Sequence, residues 1–258
     1  MHENCSFGFK DLIMMRLRAV ACFLLLLLAN PARSESVIYI DGVAPLAYTV
    51  DGKQQGLLYE LLSEMAHRVH HAGPITPMPL KRQRVLLQMR PDAIGTLWRF
   101  PELESDYLWW IKLFDSSFFL IAAPGSKVDI SSVTAARDLR VGVILGSPAE
   151  IFARRSGFRN IQTAANAESN ARKLALGRID VWIATPRVLR AAQATIGPAL
   201  ANPRIGEQIG KAELYLASSR EFDPREGEKW KAAFESMQKD GSYAQIMKRF
   251  DGGLDHAK

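Results

Sequence analysis

From Val37 onward, short apolar runs alternate with stretches of helical periodicity, and the alternation happens twice. That ordering constrains the fold more than any single motif does. Val37 to Ile40 reads as a first strand, Asp41 to Pro45 as turn chemistry, and 47–56 as a short hairpin around Asp51-Gly52. Leu57, Leu58, Leu61, Leu62, Met65, Ala66 and Val69 then recur at helical spacing, which predicts an amphipathic helix ending near His71-Gly73. A second helix is predicted at about Lys81–Met89, a strand at 92–98, and a buried strand at 117–123 closed by Pro124-Gly125.

The second block has the same grammar. Residues 139–145 form a strand that runs into Gly146-Ser147-Pro148, the opening of a helix. Residues 168–177 read as a helix stopped by Gly177, with strands at 179–184 and 212–218. A C-terminal helical region carries Trp230, Phe234, Met237, Tyr243, Ile246, Met247 and Phe250. Strand–helix–strand alternation in two successive blocks implies an α/β chain of two lobes with largely parallel sheets. Ligands of such sheets bind beyond the carboxyl ends of the strands. Three places qualify: the loop after Ile40, the loop after Leu145, and residues 95–104, which read as a strand end running through Pro101 into a capped helix with Glu102 and Glu104 at its start.

The first 34 residues read differently. Arg16 and Arg18 precede an apolar run of roughly a dozen residues, and Ala32-Arg33-Ser34 follows it, the pattern of a secretory signal peptide. The run is short for a membrane span, which needs about 20 residues. Cleavage after Ser34 would place the protein in the periplasm and remove both cysteines, Cys5 and Cys22. A thiol-free mature chain excludes disulfides and cysteine chemistry. Losing Lys10, Arg16, Arg18 and Arg33 together with Glu3 and Asp11 leaves 29 bases against 25 acids, a net charge of +4. Bases and acids are interspersed, so nucleic acid is not the expected partner.

The segments containing "APLAYTVDGKQQGLLYELLSEMA", "DAIGTLWRFPELE", "DLRVGVILGSPAE", "LALGRIDVWIA" and "DGSYAQIMKRF" come in an order that resembles the bacterial extracellular solute-binding proteins of family 3. These are the periplasmic receptors of polar amino-acid ABC transporters. The resemblance implies a two-lobed periplasmic-binding-protein fold of type II, its lobes joined by two crossover segments. Lobe 1 would take residues 36–115 and 212–258, and lobe 2 residues 118–208. It also implies a hinge near Asp115–Ser117 and Gly206–Ala212. Relatives that bind α-amino acids hold the carboxylate with an Arg and the ammonium with an Asp. In this sequence those positions fall at Leu103 and Thr185. The covering aromatic falls at Val43, and a small hydroxylated strand residue at Trp98. Both charged anchors are missing, so the expected ligand is a small polar molecule other than a standard α-amino acid.

Six residues are candidates for contacting it: Tyr48, Thr96, Trp98, Arg99, Ser147 and Thr185. Neighbours on a strand point to opposite faces, so Trp98 shares a face with Thr96 and Arg99 does not. Trp98 either faces the cleft or fills core. Arg99 either meets an anion or pairs with Glu102 or Glu104. Tyr48 is an aromatic wall or hairpin packing, and Thr185 lies past a strand end, where its hydroxyl can bond a ligand. Gly146-Ser147 offers backbone amides and a hydroxyl at a helix start, suited to an anionic or polar group. Arg82 at a helix start faces either an anion or solvent, and Asp180 reads as a turn residue. His67 and His71 are spaced for a metal but lack a third ligand, so no metal is expected.

Signatures of nucleophilic, zinc, nucleotide or dinucleotide chemistry are absent, and neither a cofactor nor catalysis is expected. The sequence reads as a monomeric periplasmic binding protein, possible partner of an ABC permease. A lyase or dehydratase on the same fold, or a sensory receptor without transport, is the alternative.

Overall fold

The computed structural model describes residues 36–251. The signal peptide expected at 1–34 lies outside the described residues. Ten strands and eight α-helices follow in order: β1 (Val37–Asp41), β2 (Tyr48–Val50), β3 (Lys53–Gln55), α1 (Leu57–Arg68), β4 (Ile75–Met78), α2 (Leu80–Met89), β5 (Ala93–Arg99) and β6 (Tyr107–Ala122). Then come α3 (Val133–Ala136), β7 (Arg140–Ile144), α4 (Pro148–Arg155), β8 (Asn160–Ala164), α5 (Ala167–Ala175), β9 (Val181–Ala184), α6 (Pro186–Ile196), β10 (Arg204–Ser219), α7 (Pro224–Asp240) and α8 (Ser242–Asp251).

Eight strands form one sheet in the order β4-β1-β5-β10-β6-β9-β7-β8, and β2 and β3 form the separate hairpin. The groups at its two ends, β4-β1-β5 and β9-β7-β8, are each parallel. Parallel strands need helical crossovers, and the intervening helices supply them. Between the two groups run β6 and β10, which are antiparallel to each other and to their outer neighbours β9 and β5. Two parallel lobes on a shared pair of long strands make this the two-lobed periplasmic-binding-protein fold. The long strands are a difference from the sequence reading, which placed only 117–123 and 212–218 in strand conformation. Each runs for 16 residues, pairing from Tyr107↔Ser219 to Ala122↔Arg204 with register shifts at Ile205–Gly210 and Leu214–Ala217.

Local chemistry explains the elements. In α1 the predicted stripe Leu57, Leu58, Leu61, Leu62, Met65 and Ala66 is buried against the core that also holds Trp230, Phe234 and Met237 of α7. Gly56 starts that helix at φ 117°, and a Cβ there would lie 2.5 Å from the Leu46 carbonyl oxygen. Only glycine meets both conditions. One expected element does not form. After Arg99 the chain makes a single 3-10 turn, Pro101–Leu103, with no side-chain cap, and not the capped helix that Pro101 and the two glutamates suggested. Glu102 and Glu104 are drawn instead into ion pairs with Arg155 and Arg99. No helix among the described residues is long and apolar enough to cross a membrane.

Candidate functional site

Strands β1, β5, β7 and β9 end at Asp41, Arg99, Ile144 and Ala184, and their carboxyl ends surround one cavity with about 490 Å³ of empty space, part of it open to solvent. This is where an α/β sheet places ligands. One wall comes from the first parallel group and β6: Asp41, Leu46, Leu80, Trp98, Ser116 and Phe118. The facing wall comes from the second group: Ile144, Ser147, Ile183, Thr185 and Arg187. A wider cavity adjoins it, sharing Val43, Leu80 and Ile144, and Tyr48 lines that one.

Trp98 is both core and wall. It is almost wholly buried, packs edge-on against Phe114 and Phe118 at 6.3 and 6.0 Å, and donates from Nε1 to Asp41 Oδ2 at 3.1 Å. Strand alternation sends Arg99 to the other face, as the sequence implied. There its guanidinium pairs with Glu104 and lies over the rings of Trp109 and Tyr215, at 5.4 and 4.9 Å. The structure therefore does not bring Arg99 to the cavity. Thr96 is fully buried beneath the wall, and its Oγ1 accepts the Asp41 backbone N–H at 3.0 Å.

On the facing wall, two strands each turn into a helix through a hydroxyl residue followed by proline. Thr185 caps α6, its Oγ1 accepting from Val188 N at 3.2 Å, with Pro186 in the first turn. Ser147 precedes Pro148 and starts α4, but its hydroxyl donates back to the Ile144 carbonyl at 2.7 Å and caps nothing. The expectation of open amides here needs correction. Gly146 N–H donates to Glu150 Oε2 at 2.6 Å, so the chain's own carboxylate fills that position. Burial opposes the Glu150 charge, but the Gly146 amide and Arg154 outweigh it and hold the carboxyl below its usual pKa. Helix α4 also touches the first wall's side. Phe152 packs edge-on against Phe100 and Phe118 at 5.8 and 5.5 Å, Arg155 lies over Phe100 at 5.3 Å, and Arg155 pairs with Glu102.

Two charged residues of the cavity escaped the sequence reading. Asp41, the last residue of β1, is 2% exposed, and burial pushes its carboxyl up to about 6, partly offset by the bond from Trp98. Arg187, in the first turn of α6, is buried with its guanidinium 5.2 Å from the Phe114 ring centroid. They are the two ionisable residues lining this cavity.

The remaining candidates lie elsewhere. Leu103 packs on the cluster of Leu97 and Tyr107, and Arg82 is exposed on α2. Asp180 is structural, holding Arg140 through bonds to its backbone and guanidinium. His71 packs edge-on against Trp230, and no group of three metal-ligating side chains occurs among the described residues.

No protein-family model matches the chain, and no curated protein matches it in sequence. Solved structures do. A mutant of the arginine-binding protein ArgBP of T. maritima superposes with a TM-score of 0.74 at 16% identity, covering 85% of this chain and 96% of that one. A histidine kinase sensor domain with similarity to periplasmic binding proteins superposes at 0.76 with 14% identity, over 85% and 96% of the two chains. An ancestral amino acid-binding protein, a precursor of cyclohexadienyl dehydratase, superposes at 0.73 with 17% identity, over 84% and 96%. At such identities the likeness establishes the fold.

Proposed function

We propose that the protein is a periplasmic solute-binding protein that captures a small molecule in this cavity by closing two lobes, residues 36–115 with 212–258 and residues 118–208. The observation that carries the reading is the cavity itself, formed where the strand ends of both parallel groups face each other. In the reading, the 34-residue leader directs export, the long strands flex near Asp115–Ser117 and Gly206–Ala212, and an ABC permease receives the cargo. The binding proteins among the structural neighbours support the capture role.

Trp98, Ser147 and Thr185 contact the ligand from opposite walls, and Tyr48 borders the entrance. The two positions that hold a standard α-amino acid in the resembled family do not serve here, because Leu103 is packed away from the cavity and Thr185 carries no charge to pair with an ammonium. Screening a metabolite library by thermal shift tests the reading, since a ligand specific for the folded state raises its stability. Capture predicts a saturable shift and a smaller radius of gyration in solution scattering. A library without a single stabilising compound refutes it.

The second reading is a lyase or dehydratase, favoured by a buried carboxyl whose pKa of about 6 suits proton transfer. Turnover of a stabilising compound, as opposed to simple saturation, distinguishes it.

A further inference from the structure

Asp41 is held in place more firmly than a turn residue needs to be. Its backbone N–H is bonded to Thr96 Oγ1, and Gln83 Nε2 in turn donates to the carbonyls of Tyr39 and Thr96, both at 2.8 Å. Trp98 Nε1 fixes Oδ2. The other carboxylate oxygen, Oδ1, is buried and has no hydrogen bond of good geometry, although the Val43 amide lies near enough to favour the charged form. A buried carboxylate oxygen without a full partner is costly, and the residue lines a cavity shared with the apolar Val43, Leu46, Leu80, Trp98 and Phe118 and, on the facing wall, with Ser147, Thr185 and Arg187.

That setting selects the chemistry of what completes it. A metal ion would require several oxygen or nitrogen ligands, and the surrounding wall supplies apolar groups. At Oδ1 itself a carboxylate or phosphate would meet a like charge, and Arg187 is the group of this cavity that could hold an anion instead. An ammonium supplies both a donor and a compensating charge, and its carbon skeleton would replace water along the apolar wall.

We propose that Asp41 anchors the ammonium of a small organic amine, with Oδ1 accepting an N–H and the ligand's apolar or aromatic body lying against Trp98 and Phe118. The proposal rests on the capture reading above and narrows it to a ligand class.

Titration calorimetry on the wild-type protein would compare phenethylamine and cyclohexylmethylamine with 2-phenylethanol and 3-phenylpropanoate. The amines are expected to bind roughly 10- to 100-fold more tightly than the alcohol, the span of a buried charge-assisted hydrogen bond, with the carboxylate weaker still. Asp41→Asn is expected to remove most of that preference while unfolding cooperatively. Equal affinity for amine and alcohol, tighter binding of the carboxylate, or no response to either amine overturns the proposal from the wild-type data alone. Those results leave the capture reading standing if other library compounds still stabilise the protein, whereas a silent library removes both.

Discussion

Replacing Asp41 by asparagine removes a charge that the folded chain holds at a cost. Burial raises the carboxyl from 3.8 to about 6. A raised folded pKa means that the group's stabilising contribution is full below the unfolded value and is lost as pH rises through the folded one. At 1.36 kcal/mol per pH unit the whole shift corresponds to about 3 kcal/mol, of which about 2 kcal/mol is traversed between pH 7.5 and pH 4.5. Asparagine keeps an oxygen for Trp98 Nε1 but buries an amide donor, a penalty of about 1–3 kcal/mol that does not change with pH. The difference between variant and wild type therefore isolates the titration. Urea unfolding of ligand-free protein, followed by tryptophan fluorescence, should show Asp41→Asn gaining on wild type by about 2 kcal/mol from pH 4.5 to pH 7.5. In melting temperature that is about 4–8 °C for a chain of this size. Parallel pH profiles for the two proteins would refute the argument.

The contacts of α4 give a second test. Phe152→Ala removes the ring that meets Phe100 and Phe118, so the ligand-free protein should show a larger radius of gyration in solution scattering, and an unchanged radius would assign Phe152 to packing alone. In β10, a Cβ on Gly206 would lie 2.1 Å from the Ile130 carbonyl oxygen, a backbone clash. Gly206→Ala should cost about 1–3 kcal/mol in urea unfolding, and a cost below roughly 0.5 kcal/mol would show that the two segments separate freely.

Where hydrophobic pattern decides structure, the sequence was readable. The stripe of α1, the parity that separates Trp98 from Arg99, and the helix start at Ser147-Pro148 all follow from local rules. The long strands were harder because charges interrupt their apolar runs. Lys112, Asp115, Lys211 and Glu213 look like loop residues until pairing places Lys112 against Glu213 and Lys211 against Asp115, at 2.5 and 2.6 Å. The helix expected after Arg99 failed because tertiary ion pairs claimed the glutamates. Asp41 was missed because Asp-Gly ahead of a proline is turn chemistry. The available signal was its place as the polar last residue of an otherwise apolar parallel strand. Arg187 was missed because the helix after Thr185 was not read, although Pro186 marks a helix start that puts Arg187 in the first turn, where a cation is electrostatically uncomfortable.

The central position of β10 bears on the order of assembly. Its pairing with β5 joins Arg99 to Glu213 and Ile94 to Ser218, across more than a hundred residues of intervening chain. The parallel group β7, β8 and β9 lies entirely within that interval, so it can collapse on short-range contacts. The other half cannot close until the segment synthesised after it arrives and adds β10, α7 and α8. Long-separation pairing of this kind slows folding through loop-closure entropy. The part of the protein made first is thus the part finished last, and a truncation that removes α7 and α8 would strip α1 of its helical partners and uncover the β6 residues that α7 packs on.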